Sequence, residues 1–67
     1  MKTILVYSPE EAKRNSFVVE KFREQLGAEL VDPTVRVQAD VVINRSNDFG
    51  VANYYSKMGA KVFNGAE

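Results

Sequence analysis

The chain has 67 residues, of which 45% are hydrophobic, enough for one modest core and therefore for a single domain spanning residues 1–67. Nine basic and nine acidic side chains cancel and the basic ones are scattered, so the sequence carries no nucleic-acid-binding pattern. Cysteine and histidine are both absent, which removes the usual zinc ligands and argues against a structural metal site. No apolar run approaches the ~18 residues of a membrane span, and we expect a cytoplasmic protein without a membrane partner.

The first half of the chain predicts a strand, a helix and a second strand. Residues 4–7 form a continuous β-branched and aromatic run, which is typical of a strand buried on both faces. Residues 8–11 then provide a serine cap, a proline and a glutamate in capping-box spacing, which together begin a helix. The apolar face of this helix consists of Val18, Val19, Phe22 and Leu26. Gly27 predicts its end, and residues 29–31 predict the second strand.

The second half repeats this order after a break at Pro33, which interrupts any strand ladder. Residues 35–38 alternate as a short edge strand would, and residues 41–43 form another doubly apolar run typical of a buried strand. The polar residues 44–48 are rich in helix-capping types, so a second helix should begin there. The expected buried face of this helix consists of Val51, Ala52, Tyr55 and Met58. Gly59 ends the helix, and residues 61–63 predict a fourth strand.

This alternation is that of an α/β domain with a mostly parallel sheet. Right-handed crossovers favour the flavodoxin-like strand order 2-1-3-4, with one helix on each face in a small three-layer, Rossmann-like arrangement. The linker of residues 32–40 is short for such a crossover.

One helix on each face leaves half of each face bare, including part of the apolar surface of residues 4–6 and 41–43. Asn64 is also a suitable cap for a further helix, with Glu67 at its third helical position. We therefore expect the chain to be part of a longer protein, with self-association as the other way to bury the bare surface.

Three stretches in the second half resemble a known family. They are DVVINRSND at residues 40–48, ANYY at residues 52–55 and MGAKVFN at residues 58–64. This pattern is similar to the N-terminal domain that precedes the catalytic part of ATP-grasp enzymes, particularly in the carboxylate–amine ligase branch that includes glutamate ligases. The resemblance implies a pre-ATP-grasp fold and a parent enzyme that uses ATP and Mg²⁺ to form an acylphosphate, which an amine then attacks. It also implies that the ligands for ATP and metal lie in later domains, so this chain alone holds no cofactor and is catalytically inert.

The resemblance and the strand order both direct attention to the loops that follow the strands. The candidate substrate-binding residues there are Ser8, Asn44, Arg45, Ser46 and Asn64. The Arg45 guanidinium suits bidentate binding of a substrate carboxylate or phosphate, and it suits equally a pair with Asp48 or with a neighbouring domain. Asparagines at strand ends point amides into a cleft or close turns, and Ser8 fits a plain helix cap. We predict no catalytic and no metal-binding residue in the chain.

The ligase-domain interpretation predicts the rest of the enzyme as the partner and a small carboxylate or amine as the substrate. Two other functions are weighed against it. A stand-alone binding or interaction module would cover its bare sheet faces by forming a homodimer. A receiver-like phosphate-handling domain shares the strand order, but it requires paired acidic residues after the first strand and an aspartate where Asn44 stands.

Overall fold

The computed structural model of the chain describes residues 1–46 and 48–64, and for Phe49 only the backbone. Its strands are β1 (Thr3–Val6), β2 (Glu29–Val31), β3 (Val41–Asn44) and β4 (Lys61–Asn64). Its helices are α1 (Pro9–Arg14), α2 (Ser16–Leu26) and α3 (Phe49–Lys57). Among these helices none is long and apolar enough to cross a membrane. The further helix expected after Asn64 falls on residues 65–67, which lie outside the described residues.

The four strands form one parallel sheet in the order β2-β1-β3-β4, which confirms the predicted α/β class and strand order. Side chains along a strand point alternately to its two faces. Ile4 and Val42 therefore join α3 in one core cluster, whereas Leu5 and Ile43 join α1 and α2 in another. The doubly apolar runs predicted as buried strands are thus central because they supply both clusters.

The predicted first helix is interrupted at Asn15, which ends α1 and precedes α2. The side-chain amide and the backbone N–H of Asn15 both donate to the Glu11 carbonyl, at 3.0 Å and 2.9 Å. An asparagine side chain that binds a nearby backbone carbonyl competes with regular helix. Both segments still cover the same face of the sheet, since Ala12 of α1 and Val19 of α2 belong to one core cluster.

The linker between β2 and β3 contains no strand, so the edge strand suggested for residues 35–38 is wrong. Val37 and Ala39 instead pack against the core cluster that includes Tyr55 of α3. The Val37 N–H donates to the Tyr55 hydroxyl at 3.2 Å. The linker therefore crosses the α3 face as an extended segment, which is how so short a connection passes from one side of β1 to the other.

The expectation of bare sheet faces is only partly right. Residues 4–6 and Val42 are 0–1% exposed, because the linker and the helices cover them. Apolar surface remains open at the end of α2 and on β4, where Leu26 is 54% and Phe63 is 50% exposed. Met58, expected on the buried face of the second helix, is also exposed.

The carboxylate of Asp32 accepts two hydrogen bonds in the first turn of the linker, and a titration can test their effect on its pKa. The Thr34 N–H and hydroxyl donate to the same Asp32 carboxylate oxygen, at 2.8 Å and 2.7 Å, and these bonds lower the pKa of Asp32. A depressed folded-state pKa adds stability above the unfolded-state pKa, and this stability is lost as the pH falls through the folded value, here below about pH 4. Thr34→Val should raise the Asp32 pKa part of the way back, because the backbone bond remains, whereas Thr34→Ser should keep it low. An NMR titration of the carboxyl carbon measures both, and an unchanged pKa in Thr34→Val would remove the hydroxyl from the explanation.

Candidate functional site

The carboxyl ends of the parallel strands meet at one edge of the sheet, next to the predicted site residues. Val6 lies beside Asn44 in register, and Asn44 lies beside Asn64. The strand order reverses here, since the chain passes from β1 to β2 on one side and β3 lies on the other. Open α/β sheets bind ligands at such a switch point. We refer to five residues as the carboxyl-edge site: Ser8, Asn44, Arg45, Ser46 and Asn64.

Asn44 is the buried polar centre of this site, with 3% of its surface exposed. Its Nδ2 donates to Oδ1 of Asn64 at 3.3 Å, which ties the end of β3 to the end of β4. Its Oδ1 accepts from the backbone N–H of Ser46 at 3.1 Å and from the Ser46 hydroxyl at 2.6 Å. The Asn44 amide therefore closes a turn, and its contribution to a ligand site is to hold the neighbouring loop in place.

Ser46 extends this network to the beginning of α3. Its Oγ accepts from the Asp48 N–H at 3.3 Å, in addition to donating to Asn44. The Asp48 carboxylate accepts from the Gly50 N–H at 2.9 Å and so caps α3. The loop after β3 is thus fixed at both ends by hydrogen bonds within the chain.

Arg45 occupies the position between these two anchored side chains. Its backbone N–H donates to the Val6 carbonyl at 2.9 Å, which joins the start of the loop to the end of β1. Its guanidinium carbon lies 5.5 Å from the centre of the Tyr7 ring, within the range of a cation–π interaction. The guanidinium is therefore held over a buried aromatic ring, since Tyr7 is only 5% exposed.

Tyr7 belongs to this site, although the sequence indicated only a strand residue there. The register supplies the missing signal, because Val6 pairs with Asn44 and the next residues on each strand are therefore Tyr7 and Arg45. Parallel strands bring such neighbours together at the end of the sheet. The contact is predicted by a pattern on two neighbouring parallel strands. One strand is followed directly by an aromatic residue, and the other is followed directly by an arginine.

Ser8 lies at the same edge, after β1, but its side chain acts as a cap. Its Oγ accepts from the Glu11 N–H at 3.3 Å at the start of α1. The structure therefore groups Asn44, Ser46 and Asn64 in one network beside Arg45, while the Ser8 hydroxyl serves the adjacent helix.

The side chains at this edge are polar and include one cation. Its side chains are amides, hydroxyls and a guanidinium, which suit an anion with oxygen atoms. Within residues 1–46 and 48–64 there is no group of three or more side chains that could ligate a metal ion. The family resemblance implies that the ligands for ATP and Mg²⁺ lie in later domains, and we derive no step through either group on this chain.

No protein-family model, no curated protein and no solved structure matches this chain. The resemblance to the N-terminal domain of ATP-grasp ligases therefore rests on the residue pattern alone.

Proposed function

We propose that the carboxyl-edge site binds a small carboxylate through Arg45, and that the chain serves as the N-terminal substrate-cleft domain of an ATP-dependent carboxylate–amine ligase. The observation that carries the proposal is the placement of Arg45 at the switch point of the sheet. Its guanidinium lies over Tyr7, and hydrogen bonds anchor the residues on either side of it, Asn44 and Ser46. A planar guanidinium matches the two oxygens of a carboxylate in a bidentate pair. The ring beneath it stabilises the cation.

The hydrogen-bond network supports binding because it leaves little of the loop after β3 to be ordered when a ligand binds. Asn44, Ser46 and Asn64 already fix the ends of β3 and β4 and the loop between β3 and α3. A ligand that binds Arg45 would therefore meet a loop whose conformational entropy has largely been lost on folding. In the proposed ligase this edge forms one wall of the cleft and orients the substrate carboxylate, while ATP is bound by other domains. A ligase that consumes ATP belongs in the cytoplasm, and the absence of cysteine is compatible with that compartment.

Carboxylate binding is tested with L-glutamate as the probe, by following the backbone amides of the ¹⁵N-labelled chain. We expect chemical-shift changes that saturate and that concentrate at Arg45, Ser46 and Asn64. Arg45→Gln should weaken binding about tenfold or more, because hydrogen bonds between charged groups contribute ~1.5–3 kcal/mol. Arg45→Lys should recover part of the affinity, since it restores the charge without the planar pair of donors.

Arg36 offers a matched control for this experiment. Its guanidinium carbon also lies over a tyrosine ring, 5.2 Å from the centre of Tyr54, but on the linker and away from the carboxyl edge. Arg36→Gln should leave glutamate binding unchanged. Equal weakening by the two substitutions, or undiminished binding in Arg45→Gln, would contradict the site. The ligase assignment is tested separately, by asking whether the coding sequence beyond codon 67 encodes ATP-binding domains.

A further inference from the structure

A second surface, remote from the carboxyl-edge site, has the properties of a docking site. An apolar groove of about 470 Å³ lies on the α2 face of the sheet, between α2 and the outer strands. Phe22 and Leu26 form its helical wall, and Val41, Ile43 and Phe63 form its floor and far wall. Met1 and Thr3 complete the lining, in which no charged side chain of the described residues takes part. We refer to it as the α2 groove.

The groove exists because the helices on this face cover only part of the sheet. α2 contacts β1, and the crossover from β1 to β2 carries it toward the β2 side. α3 contacts β3 and β4 on the opposite face. On the α2 face, Ile43 of β3 packs with α1 and α2 in one core cluster, so only the outer part of the sheet, toward β4, stays open. Parallel sheets are ordinarily covered on both faces, and a half-exposed Phe63 beside a half-exposed Leu26 marks the part that is not.

The dimensions of the β3–β4 pair match one helix beside α2. Neighbouring strands lie about 4.8 Å apart, so two strands present a width of about 10 Å, which is close to the diameter of a helix with its side chains. β3 and β4 each contain four residues, a length of about 13 Å, and about nine helical residues cover that distance. One amphipathic helix of two to three turns therefore fills the α2 groove.

The charge at one end of the groove determines the direction of that helix. Lys61 lies beside Val41 in register, and its Nζ is 5.9 Å from the centre of the Phe63 ring on the same face. Among residues 1–46 and 48–64 it takes part in no ion pair. A helix antiparallel to the strands, as α2 is, ends near the amino ends of the strands and so near Lys61. The negative end of its dipole, and any acidic side chains in its last turn, would meet this cation.

We propose that the α2 groove binds a single amphipathic helix of a partner protein, antiparallel to β3 and β4, with acidic residues in its last turn beside Lys61. The inference stands apart from carboxylate binding at the other edge of the sheet. It uses side chains that the carboxyl-edge site does not contain.

The probe is a pair of lactam-stabilised peptides of about 14 residues, with leucines at i, i+3, i+4 and i+7. One peptide carries two glutamates in its last turn, and the other carries two lysines at the same positions. Fluorescence anisotropy of the labelled peptides should show that the glutamate peptide binds about threefold or more tightly than the lysine peptide. Amide shift changes should fall on Thr3, Val41 and Phe63, and those of Asn44 and Asn64 should remain unchanged.

Two substitutions, one in the groove and one at its end, have closely matched controls on the outer side of α2. Phe63→Ser should weaken the glutamate peptide about tenfold or more, and Lys61→Glu should reverse the preference between the two peptides. Phe17 is also an exposed phenylalanine with a lysine over its ring, Lys21 at 5.6 Å, but neither lines the groove. Phe17→Ser and Lys21→Glu should leave both affinities unchanged.

Several outcomes would overturn the proposal. They are absence of binding at millimolar peptide, equal weakening by Phe17→Ser and Phe63→Ser, and a Lys61→Glu variant that keeps the preference for glutamate. A concentration-dependent dimer in sedimentation that is abolished by Phe63→Ser would assign the groove to a second copy of this chain instead. Loss of glutamate binding at Arg45 alone would leave this inference intact.

Discussion

Val42→Asp is expected to unfold the chain. Val42 is fully buried at the centre of β3, within the core cluster shared by the sheet and α3. A carboxylate there would have no partner, and burial of an unpaired charge ranks among the largest destabilising effects of a single substitution, above ~4 kcal/mol. A domain of this size has a total stability of roughly 3–10 kcal/mol, so the loss is comparable to the whole.

Circular dichroism and urea denaturation measure this effect, with Val35→Asp as the control. Val35 is 46% exposed on the linker, and the same substitution there should change the free energy of unfolding by less than ~0.5 kcal/mol. Burial raises the pKa of the introduced carboxyl above its unfolded value, so the destabilisation should be smallest below about pH 4 and grow as the pH rises. A folded Val42→Asp variant at neutral pH, or equal effects at the two positions, would contradict the buried position of β3.

The strands were predictable from the sequence because their signal is local. Residues 4–6 and 41–43 are apolar on consecutive positions, and only a strand covered on both faces buries such a run in so few residues. The interruption at Asn15 was not predictable in the same way. The capping box and the apolar spacing both continue the helix through this position, and the outcome depends on which carbonyl the Asn15 amide binds.

The path of the linker depended on tertiary contacts that the local pattern does not contain. The alternation of residues 35–38 is compatible with a strand, but a strand also needs a neighbour with free backbone groups. Here the Tyr55 hydroxyl accepts the Val37 N–H, and the linker packs its apolar side chains over the core. One consequence is that the linker and α3 together cover Ile4, Val6 and Val42 on the α3 face, whereas Phe63 in the α2 groove stays half exposed.

The strand order predicted where the five residues of the carboxyl-edge site lie, but it did not predict which hydrogen bonds each side chain makes. Five residues after strands were named, and the structure brings Asn44, Ser46 and Asn64 into one network. Their hydrogen bonds to one another decide that they organise the loop, and this depends on the register of β4 against β3. Tyr7 was missed because its contact with Arg45 arises only when β1 and β3 are paired.

The carboxyl-edge site and the α2 groove lie at different places in the molecule, and both follow from the parallel arrangement of the strands. Parallel strands that all begin at one edge and end at the other place their polar loop residues together at the carboxyl ends. The same arrangement requires helices on both faces. On the α2 face the described helices bury Ile43 of β3 but leave Phe63 of β4 half exposed. The proposed ligand binding at the carboxyl edge and the proposed helix binding in the α2 groove should therefore be separable by substitution.

Tyr55→Ala is expected to have the second-largest effect, a loss of ~3–5 kcal/mol in the free energy of unfolding. Tyr55 is 1% exposed and joins three parts of the structure. Its ring packs in the α3-side core and meets Tyr54 edge-on at 5.0 Å between ring centres, and its hydroxyl accepts from the linker at Val37. Truncation creates a large cavity and also frees the linker, so the chain should be largely unfolded at 37 °C.

Tyr55→Phe separates the hydrogen bond from the packing. It removes only the hydroxyl that the Val37 N–H binds, and we expect a loss of ~1 kcal/mol together with faster hydrogen exchange of the Val37 amide. Tyr54→Phe is the matched control, because Tyr54 lies beside Tyr55 but is 36% exposed, and it should change stability by less than ~0.5 kcal/mol. If Val37 exchanges at the same rate in Tyr55→Phe as in the unaltered chain, the hydroxyl does not hold the linker. The coverage of the α3 face would then have to come from apolar packing alone.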